Sequence, residues 1–193
     1  MQKIILASKS KQRQALLSTI KVPFEIMPAE IDERAIRHEQ PSKRAESIAR
    51  AKAEKVAARH KGIVIAADTF SEINGRILEK PRDLNEAREM LKLESGNHLK
   101  THTGFCYIDR KNNINFSTAV TADFKFRELS DNEIEEYIKT SPVTTWAAAF
   151  SPAYTYAMTM IDTVHGSLTG FTHGLPMEVL IPLLRKSGFE VHP

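Results

Sequence analysis

Residues 63–69 constrain the fold more than any other stretch, and they read Ile-Val-Ile-Ala-Ala-Asp-Thr. An apolar run without alternating polar residues is typical of a strand that is buried on both faces of a sheet. Asp68 stands at the carboxyl end of that run, where a buried carboxylate needs a partner. Ligands of open α/β sheets bind at this end of the strands. Asp68 is therefore a candidate site residue, and the alternative is that it caps a turn or the next element.

Bulk composition is that of an ordinary globular chain. The 193 residues are 41% hydrophobic and 26% charged, which is enough to bury a core, and we expect a single domain over residues 1–193. The net charge of +3 is too small to indicate nucleic acid, so we expect no stable nucleic-acid partner. A lone cysteine, no secretory signal and no membrane-length apolar run predict a soluble cytoplasmic protein without a membrane partner.

The amino terminus reads as a short buried strand that passes into a helix. The connecting loop contains Ser8 and Ser10, and Ser10 is a good N-cap for the helix that follows. Lys9, Lys11 and Arg13 add positive charge at the helix start. Hydroxyls, free backbone N–H groups and cations together predict an anion site, whereas the plainer interpretation is a capped surface helix with solvated lysines.

Two further segments contain charged residues that are candidates for ligand binding. Residues 29–34 form an acidic loop around Glu33, which is either solvated or suited to a hard cation such as Mg²⁺. The helix predicted from Pro41 to near Gly62 has an apolar stripe, and Lys52 falls inside it. A lysine in that position snorkels, pairs with an acid or contacts a ligand anion.

Asn74-Gly75 between two strand-like runs predicts a hairpin after the buried strand. Lys80 follows the hairpin and precedes Pro81, which holds its backbone extended. Lys80 is therefore directed by its backbone toward one side, although simple solvation would also explain an exposed lysine.

The second half of the chain continues the alternation of strands and helices. Capping patterns at Asp83 and Ser130 start helices, two long strands span residues 98–109 and 114–129, and a last helix opens at Leu175-Pro176. Residues 142–159 are irregular and aromatic, either as a core patch or as a loop that stacks a nucleobase; residues 166–174 read as a glycine-marked turn region. The whole pattern predicts one α/β unit with a mixed sheet.

Taken together, several segments resemble the Maf-like nucleotide pyrophosphatases. The opening segment resembles the family signature Ser-x-Ser-Pro-Arg-Arg, and further segments match other family motifs in order and spacing over almost the full length. These segments are Ile5-Leu6-Ala7-Ser8-Lys9-Ser10-Lys11-Gln12-Arg13, Asp32-Glu33, Ala49-Arg50-Ala51-Lys52-Ala53, Ala67-Asp68-Thr69, Leu78-Glu79-Lys80-Pro81, Ser95-Gly96 with His98 and residues 101–104, and Gly174-Leu175-Pro176.

The resemblance implies a two-lobed Maf/ITPase-like α/β fold with a mixed central sheet, flanking helices and a central cleft. It implies hydrolysis of a modified, non-canonical or pyrimidine nucleoside triphosphate between the α and β phosphates, with Mg²⁺ or Mn²⁺ as cofactor. The matching positions give Asp68 as proton acceptor and Glu33, Lys52 and Lys80 as essential residues. Gln12 and Thr69 bear on substrate choice.

These roles agree with the chemistry of the residues themselves. Phosphoryl transfer depends on positioning and on neutralised charge more than on covalent help. Ser8, Ser10 and Arg13 belong to the predicted anion site, and the Glu33 and Asp68 carboxylates are suited to hold the metal.

Two segments depart from the family pattern and leave a second hypothesis open. The family's Pro-Arg-Arg is Lys11-Gln12-Arg13 here, and residues 144–153 lack the family's glutamine and lysine. The alternative is a nucleotide-binding regulatory protein of the same fold with impaired catalysis. Binding of single-stranded RNA is a weaker third hypothesis. The family resemblance also implies a possible homodimer.

Overall fold

The computed structural model describes residues 2–153 and 156–191. Within these ranges seven strands form one mixed sheet, which confirms the predicted α/β class. The strands are β1 (Ile4–Leu6), β2 (Phe24–Ile26), β3 (Ile63–Ile73), β4 (Arg76–Leu78), β5 (His98–Asp109), β6 (Ile114–Phe126) and β7 (Ile161–Gly166). The helices are α1 (Lys11–Ser18), α2 (Pro41–Ala57), α3 (Leu84–Glu94), α4 (Asp131–Thr140), α5 (Leu168–His173) and α6 (Met177–Lys186).

β3 is the central strand, and its two edges are used differently. The sheet order is β2-β1-β3-β5-β6-β7; β1 is parallel to both of its neighbours, and the other pairs are antiparallel. β5 pairs with β3 continuously along one edge. On the other edge β1 pairs with residues 63–65 and β4 pairs with residues 71–73. Residues 66–70, which include Asp68, therefore face an opening between two strands, as at the switch point of other α/β sheets.

Two apolar clusters cover one face of the sheet. The aliphatic cluster lies over the first half of β3 and includes Ile4, Leu6, Leu17, Ile63, Ile65, Leu175, Leu180 and Leu184. The aromatic cluster lies beyond it and includes Phe124, Phe126, Tyr137, Trp146, Phe150 and Phe171. Between them, on the same face, β3 and β5 carry two hydroxyl pairs, Thr69–Thr103 and Ser71–Thr101. The hydroxyl band separates the two lobes of the fold.

α2 covers the opposite face and approaches β5 unusually closely at Gly104. Gly104 pairs with Asp68 in the register of β3 and β5. A Cβ atom placed on Gly104 would lie 2.0 Å from the carbonyl oxygen of Ala45 in α2. Glycine at this position therefore lets the helix backbone rest directly on the strand that neighbours Asp68.

Most of the predicted elements are confirmed, with some differences at their ends. The hairpin at Asn74-Gly75 is present as β3–β4, and the capping box at Ser130 is complete. At Asp83 only half of the box forms, because the Glu86 carboxylate accepts from the backbone of Arg82 instead. α2 ends at Ala57, not near Gly62, and β6 ends at Phe126, short of residue 129.

The largest error lies in residues 166–174. Gly166 ends β7 and Leu168–His173 form α5 instead of a turn region, because the Ser167 hydroxyl caps the backbone N–H of Gly170. α6 begins at Met177, with Pro176 as its N-cap. The described residues of 142–153 and 156–159 are irregular as expected, with short 3-10 turns at Val143–Thr145, Ala147–Ala149 and Ala157–Met160. Tyr154, predicted to lie in the aromatic patch, is outside the described residues.

No helix in the described parts of the chain combines the length and the apolar character needed to cross a membrane.

Candidate active site

A cleft of about 860 Å³ opens between the two lobes. It lies at the gap in the β3 edge, and its floor includes Thr69, Ser71 and Thr101 from the hydroxyl band. All nine candidate residues line it, namely Ser8, Ser10, Gln12, Arg13, Glu33, Lys52, Asp68, Thr69 and Lys80. The fold thus brings together residues that are spread over more than seventy positions of the sequence.

Lys52 is the centre of the charged part of the cleft. Its ammonium group lies 2.8 Å from Asp68 Oδ1 and 2.8 Å from Glu33 Oε1. Lys52 and Asp68 are 8% and 9% exposed, whereas the Glu33 side chain is 46% exposed. The lysine in the apolar stripe of α2 therefore pairs with two acids and does not snorkel to solvent.

Local structure explains how these three side chains meet. Asp68 leaves β3 on the face that α2 covers, and the close approach at Gly104 brings α2 within reach of it. Glu33 arrives from the loop between β2 and α2. Arg44 holds that loop, since its Nε donates to the carbonyl of Ile36 at 3.2 Å.

Arg13 links three parts of the cleft wall. Its Nε donates to the carbonyl of Gly174 at 2.8 Å, one terminal nitrogen donates to Ser8 Oγ at 3.1 Å, and the other donates to Thr69 Oγ1 at 3.0 Å. Burial lowers the pKa of the guanidinium, and the Asp68 and Glu33 carboxylates oppose that shift. Arg13 was expected to hold phosphate oxygens, but in this structure three of its donors are used by the protein itself.

The start of α1 is organised by the two serines. The Ser10 side chain caps the backbone N–H of Arg13, and its hydroxyl donates to Gln12 Oε1 at 3.0 Å. Ser8 Oγ accepts from the backbone N–H of Ser10 at 3.2 Å. The predicted N-cap is confirmed, and the Ser10 hydroxyl holds the Gln12 side chain at the N-terminus of α1.

Positive charge lines the same side of the cleft. Lys9, Lys11 and Lys80 are exposed there, in addition to Lys52 and Arg13. Lys9 also lies 3.7 Å from the Glu30 carboxylate. Cations that outnumber the lining carboxylates favour an anionic ligand.

The far wall was largely missed from the sequence. It is built by residues 145–147, 150–152 and 171–174, and Trp146, Phe150 and Phe171 contribute aromatic surface to it. The signals were the aromatic residues of the irregular segment, for which base stacking was one interpretation, and the Gly174-Leu175-Pro176 motif. Ser71 and His173 carried no recognised signal, and Thr101 was included only as part of the family match over residues 101–104.

The cleft thus combines a cationic side, two carboxylates that share a lysine and an aromatic far wall. Such a set suits a phosphorylated ligand with an aromatic ring, because cations bind phosphate oxygens and aromatic surface packs against a base.

Comparison with known proteins agrees with this chemistry. The chain is 37% identical over 193 residues to the dTTP/UTP pyrophosphatase of Ruminiclostridium cellulolyticum, covering 96% of each chain. It is 37% identical over 188 residues to the dTTP/UTP pyrophosphatase of Thermococcus gammatolerans, covering 97% of this chain and 98% of the relative.

Among solved structures, the Ham1 protein of Staphylococcus aureus shares the fold. The TM-score is 0.56 at 13% sequence identity, and the match covers 96% of this chain and 99% of that chain. A family model described as Maf-like protein matches residues 3–187, which is nearly the whole chain. The chain therefore belongs to the Maf-like protein family.

Proposed function

We propose that this protein is a metal-dependent nucleoside triphosphate pyrophosphatase, which cleaves the α–β phosphoanhydride to a nucleoside monophosphate and pyrophosphate. The observation that carries the proposal is the Asp68–Lys52–Glu33 arrangement inside a cleft that has cations on one side and aromatic surface on the other. The names of the relatives, dTTP/UTP pyrophosphatase, support the same reaction.

In this proposal Asp68 and the two lysines act on the reacting phosphate. Asp68 orients a water molecule and accepts its proton while the water oxygen bonds to the α phosphorus. The bond from the α phosphorus to the bridging oxygen breaks, and pyrophosphate leaves with the electron pair. Lys52 and Lys80 stabilise charge that develops on the phosphate oxygens.

The remaining candidates hold the substrate. Ser8, Ser10 and Gln12 offer polar groups at the start of α1, where backbone N–H groups and the helix dipole favour phosphate. Arg13 fixes Ser8 and Thr69 in place through its own hydrogen bonds. The Thr69 hydroxyl lies on the floor of the cleft and offers a further polar group to the substrate.

The Glu33 and Asp68 carboxylates fit a divalent cation that arrives with a nucleotide. Each carboxylate lies 2.8 Å from Lys52 Nζ, so the two are close enough for one cation to contact both. Mg²⁺ usually takes one or two carboxylates from a protein and completes its ligand sphere with phosphates and water. When bound here, Mg²⁺ or Mn²⁺ would neutralise charge on the phosphates that flank the scissile bond.

The direct test is pyrophosphate release from a panel of canonical and modified nucleoside triphosphates with Mg²⁺ or Mn²⁺. We expect equal amounts of nucleoside monophosphate and pyrophosphate from at least one nucleotide, and loss of the reaction when a chelator removes the metal. Binding of nucleotides without turnover on every member of the panel would instead favour the regulatory protein, and release of inorganic phosphate would contradict the assigned bond.

A further inference from the structure

His173 lines the cleft, although no role has been assigned to it. It is the last residue of α5 and is half-buried. The next residue, Gly174, is in a left-handed conformation with φ of 65°, and a Cβ atom there would lie 2.6 Å from Thr69 Oγ1. The backbone that carries His173 is therefore pressed against the residue that follows Asp68.

The hydrogen bonds around His173 define its tautomer. Thr172 Oγ1 donates to the carbonyl of Leu168 at 3.0 Å, which uses the single proton of that hydroxyl. Thr172 Oγ1 also lies 2.7 Å from His173 Nδ1, and because that hydroxyl proton is already used we assign the donor of this contact to Nδ1–H. In the neutral ring the other nitrogen, Nε2, then carries a lone pair and is a hydrogen-bond acceptor.

His173 lines the same cleft as the aromatic side chains of the far wall. Phe171 precedes it by two residues, lines the same cleft and lies with its ring centroid 6.5 Å from that of Phe150. Burial lowers the pKa of His173, which favours the neutral ring at pH 7. The cations of the cleft come from other segments, namely the start of α1, α2 and the loop after β4, and Arg13 among them bonds to the carbonyl of Gly174, next to His173. A neutral acceptor next to aromatic surface suits the edge of a base better than a phosphate.

We propose that His173 is a specificity residue whose Nε2 accepts a hydrogen bond from an N–H group on the edge of the nucleobase. The proposal rests on the proposed function and adds a substrate class to it: nucleotides whose base presents an N–H donor. A base that is alkylated at that nitrogen offers no donor, and it leaves the acceptor unpaired in a half-buried site.

The tautomer can be tested in the wild-type protein by a measurement that does not depend on enzymatic activity. Long-range ¹H–¹⁵N NMR spectra of the histidine rings distinguish a protonated nitrogen from one with a lone pair. We expect His173 to be the Nδ1–H tautomer at pH 7.5, with Nε2 unprotonated. An Nε2–H tautomer would overturn the proposal whether or not the protein hydrolyses nucleotides.

The role can be tested with UTP and its N3-methyl analogue, which lacks the imide N–H. We expect the wild type to have a higher kcat/KM for UTP than for the N3-methyl analogue. In the His173→Phe variant the ratio of the two values should fall about tenfold, which is the effect of losing one hydrogen bond. His173→Gln keeps an acceptor at a similar reach and should recover part of the preference. His60→Phe, at an exposed histidine outside the cleft, is the matched control.

Inorganic tripolyphosphate separates a base contact from a phosphate contact, because it has no base. We expect its inhibition constant to be the same for the wild type and for His173→Phe. An equal loss of activity on UTP and on its N3-methyl analogue, or weaker inhibition by tripolyphosphate, would overturn the base contact. Absence of all nucleotide hydrolysis in the wild type would overturn the proposed function instead.

Discussion

Two carboxylates share the ammonium group of Lys52, and this contact sets the chemistry of single residues in the cleft. Lys52 is nearly buried, and removing it would leave the Asp68 charge without its closest partner. The same ammonium group holds the exposed Glu33 over the opening in the sheet. Changes at these three residues should therefore separate effects on catalysis from effects on folding.

The Asp68→Asn variant keeps the size of the side chain but removes the proton acceptor. We expect a fall of about a hundredfold to ten-thousandfold in turnover of nucleoside triphosphates, with little change in the circular dichroism spectrum. Steady-state release of pyrophosphate measures the effect, and Asp162→Asn at an exposed position is the control. Turnover at the wild-type rate would contradict the assignment of Asp68.

The Lys52→Met variant tests the ion pair through stability. Breaking a buried pair from one side costs about 3 to 5 kcal/mol, because the remaining charge is uncompensated. We expect the Lys52→Met/Asp68→Asn double variant to regain much of that free energy of unfolding while remaining inactive. Urea denaturation measures both, with Lys55→Met on the exposed face of α2 as the control. Purely additive losses would show that the two side chains are not coupled.

At the scale of elements, the distance between α2 and the sheet decides whether Lys52 reaches Asp68. Gly104 sits opposite Asp68 on β5, and a Cβ atom there would meet the backbone of α2 and not a movable side chain. The φ of Gly104 lies outside the left-handed region, so the requirement for glycine at this position is one of space alone. The active arrangement thus depends on how closely two elements pack.

The Gly104→Ala variant should push α2 away from β5. We expect a loss of about 1 to 3 kcal/mol in the free energy of unfolding from overpacking, together with a fall in activity as Lys52 moves from Asp68. Thermal denaturation and pyrophosphate release measure the two effects. Gly75→Ala is the matched control: it meets no atom within 4 Å, and its cost should come from its positive φ alone, with activity kept. Unchanged activity in Gly104→Ala would show that the packing distance is not critical.

At the scale of the whole molecule, local patterns predicted strands β1 to β6, the helices other than α5 and most of the charged site, whereas β7 was not predicted. Asp68 at the end of an apolar run and Lys52 inside an apolar stripe were visible because each breaks a short-range pattern. The far wall was not visible, since it depends on contacts between distant parts of the chain: Arg13 and Gly174 are 161 positions apart. α5 was missed because three glycines between residues 166 and 174 outweighed the cap at Ser167.

The stability of the whole molecule should depend on Glu94. This residue is 0% exposed, and within the described residues neither of its carboxylate oxygens has a hydrogen-bond partner. Burial raises its pKa well above the ordinary value of 4.5, so the folded state binds a proton that the unfolded state releases. The free energy of unfolding that depends on the protonated Glu94 is fully present below pH 4.5. It is lost as the pH rises through the folded-state pKa, by up to about 1.4 kcal/mol per pH unit.

The Glu94→Gln variant removes that titration. We expect its stability to change less than that of the wild type between pH 5 and about pH 8, so that the variant gains relative stability toward the alkaline end. Urea midpoints across this range measure the effect. Glu89→Gln, exposed on the same helix, should keep the pH profile of the wild type. Parallel profiles for Glu94→Gln and the wild type would refute the role of Glu94.

The two sides of the cleft come from different halves of the chain. The shared lysine, both carboxylates and the other cations precede Gly104, whereas the aromatic far wall and His173 follow residue 141. Recombination between related genes with a crossover at the β5–β6 turn would therefore exchange the surface proposed to contact the base while inheriting the hydrolytic residues intact. The join must preserve the full pairing of β5 with β6 and the apolar clusters that span it, as well as single ties such as Arg13 to Gly174 and Thr103 to Gly170. Such a division would allow the nucleotide preference to change during evolution while the hydrolytic residues stay the same.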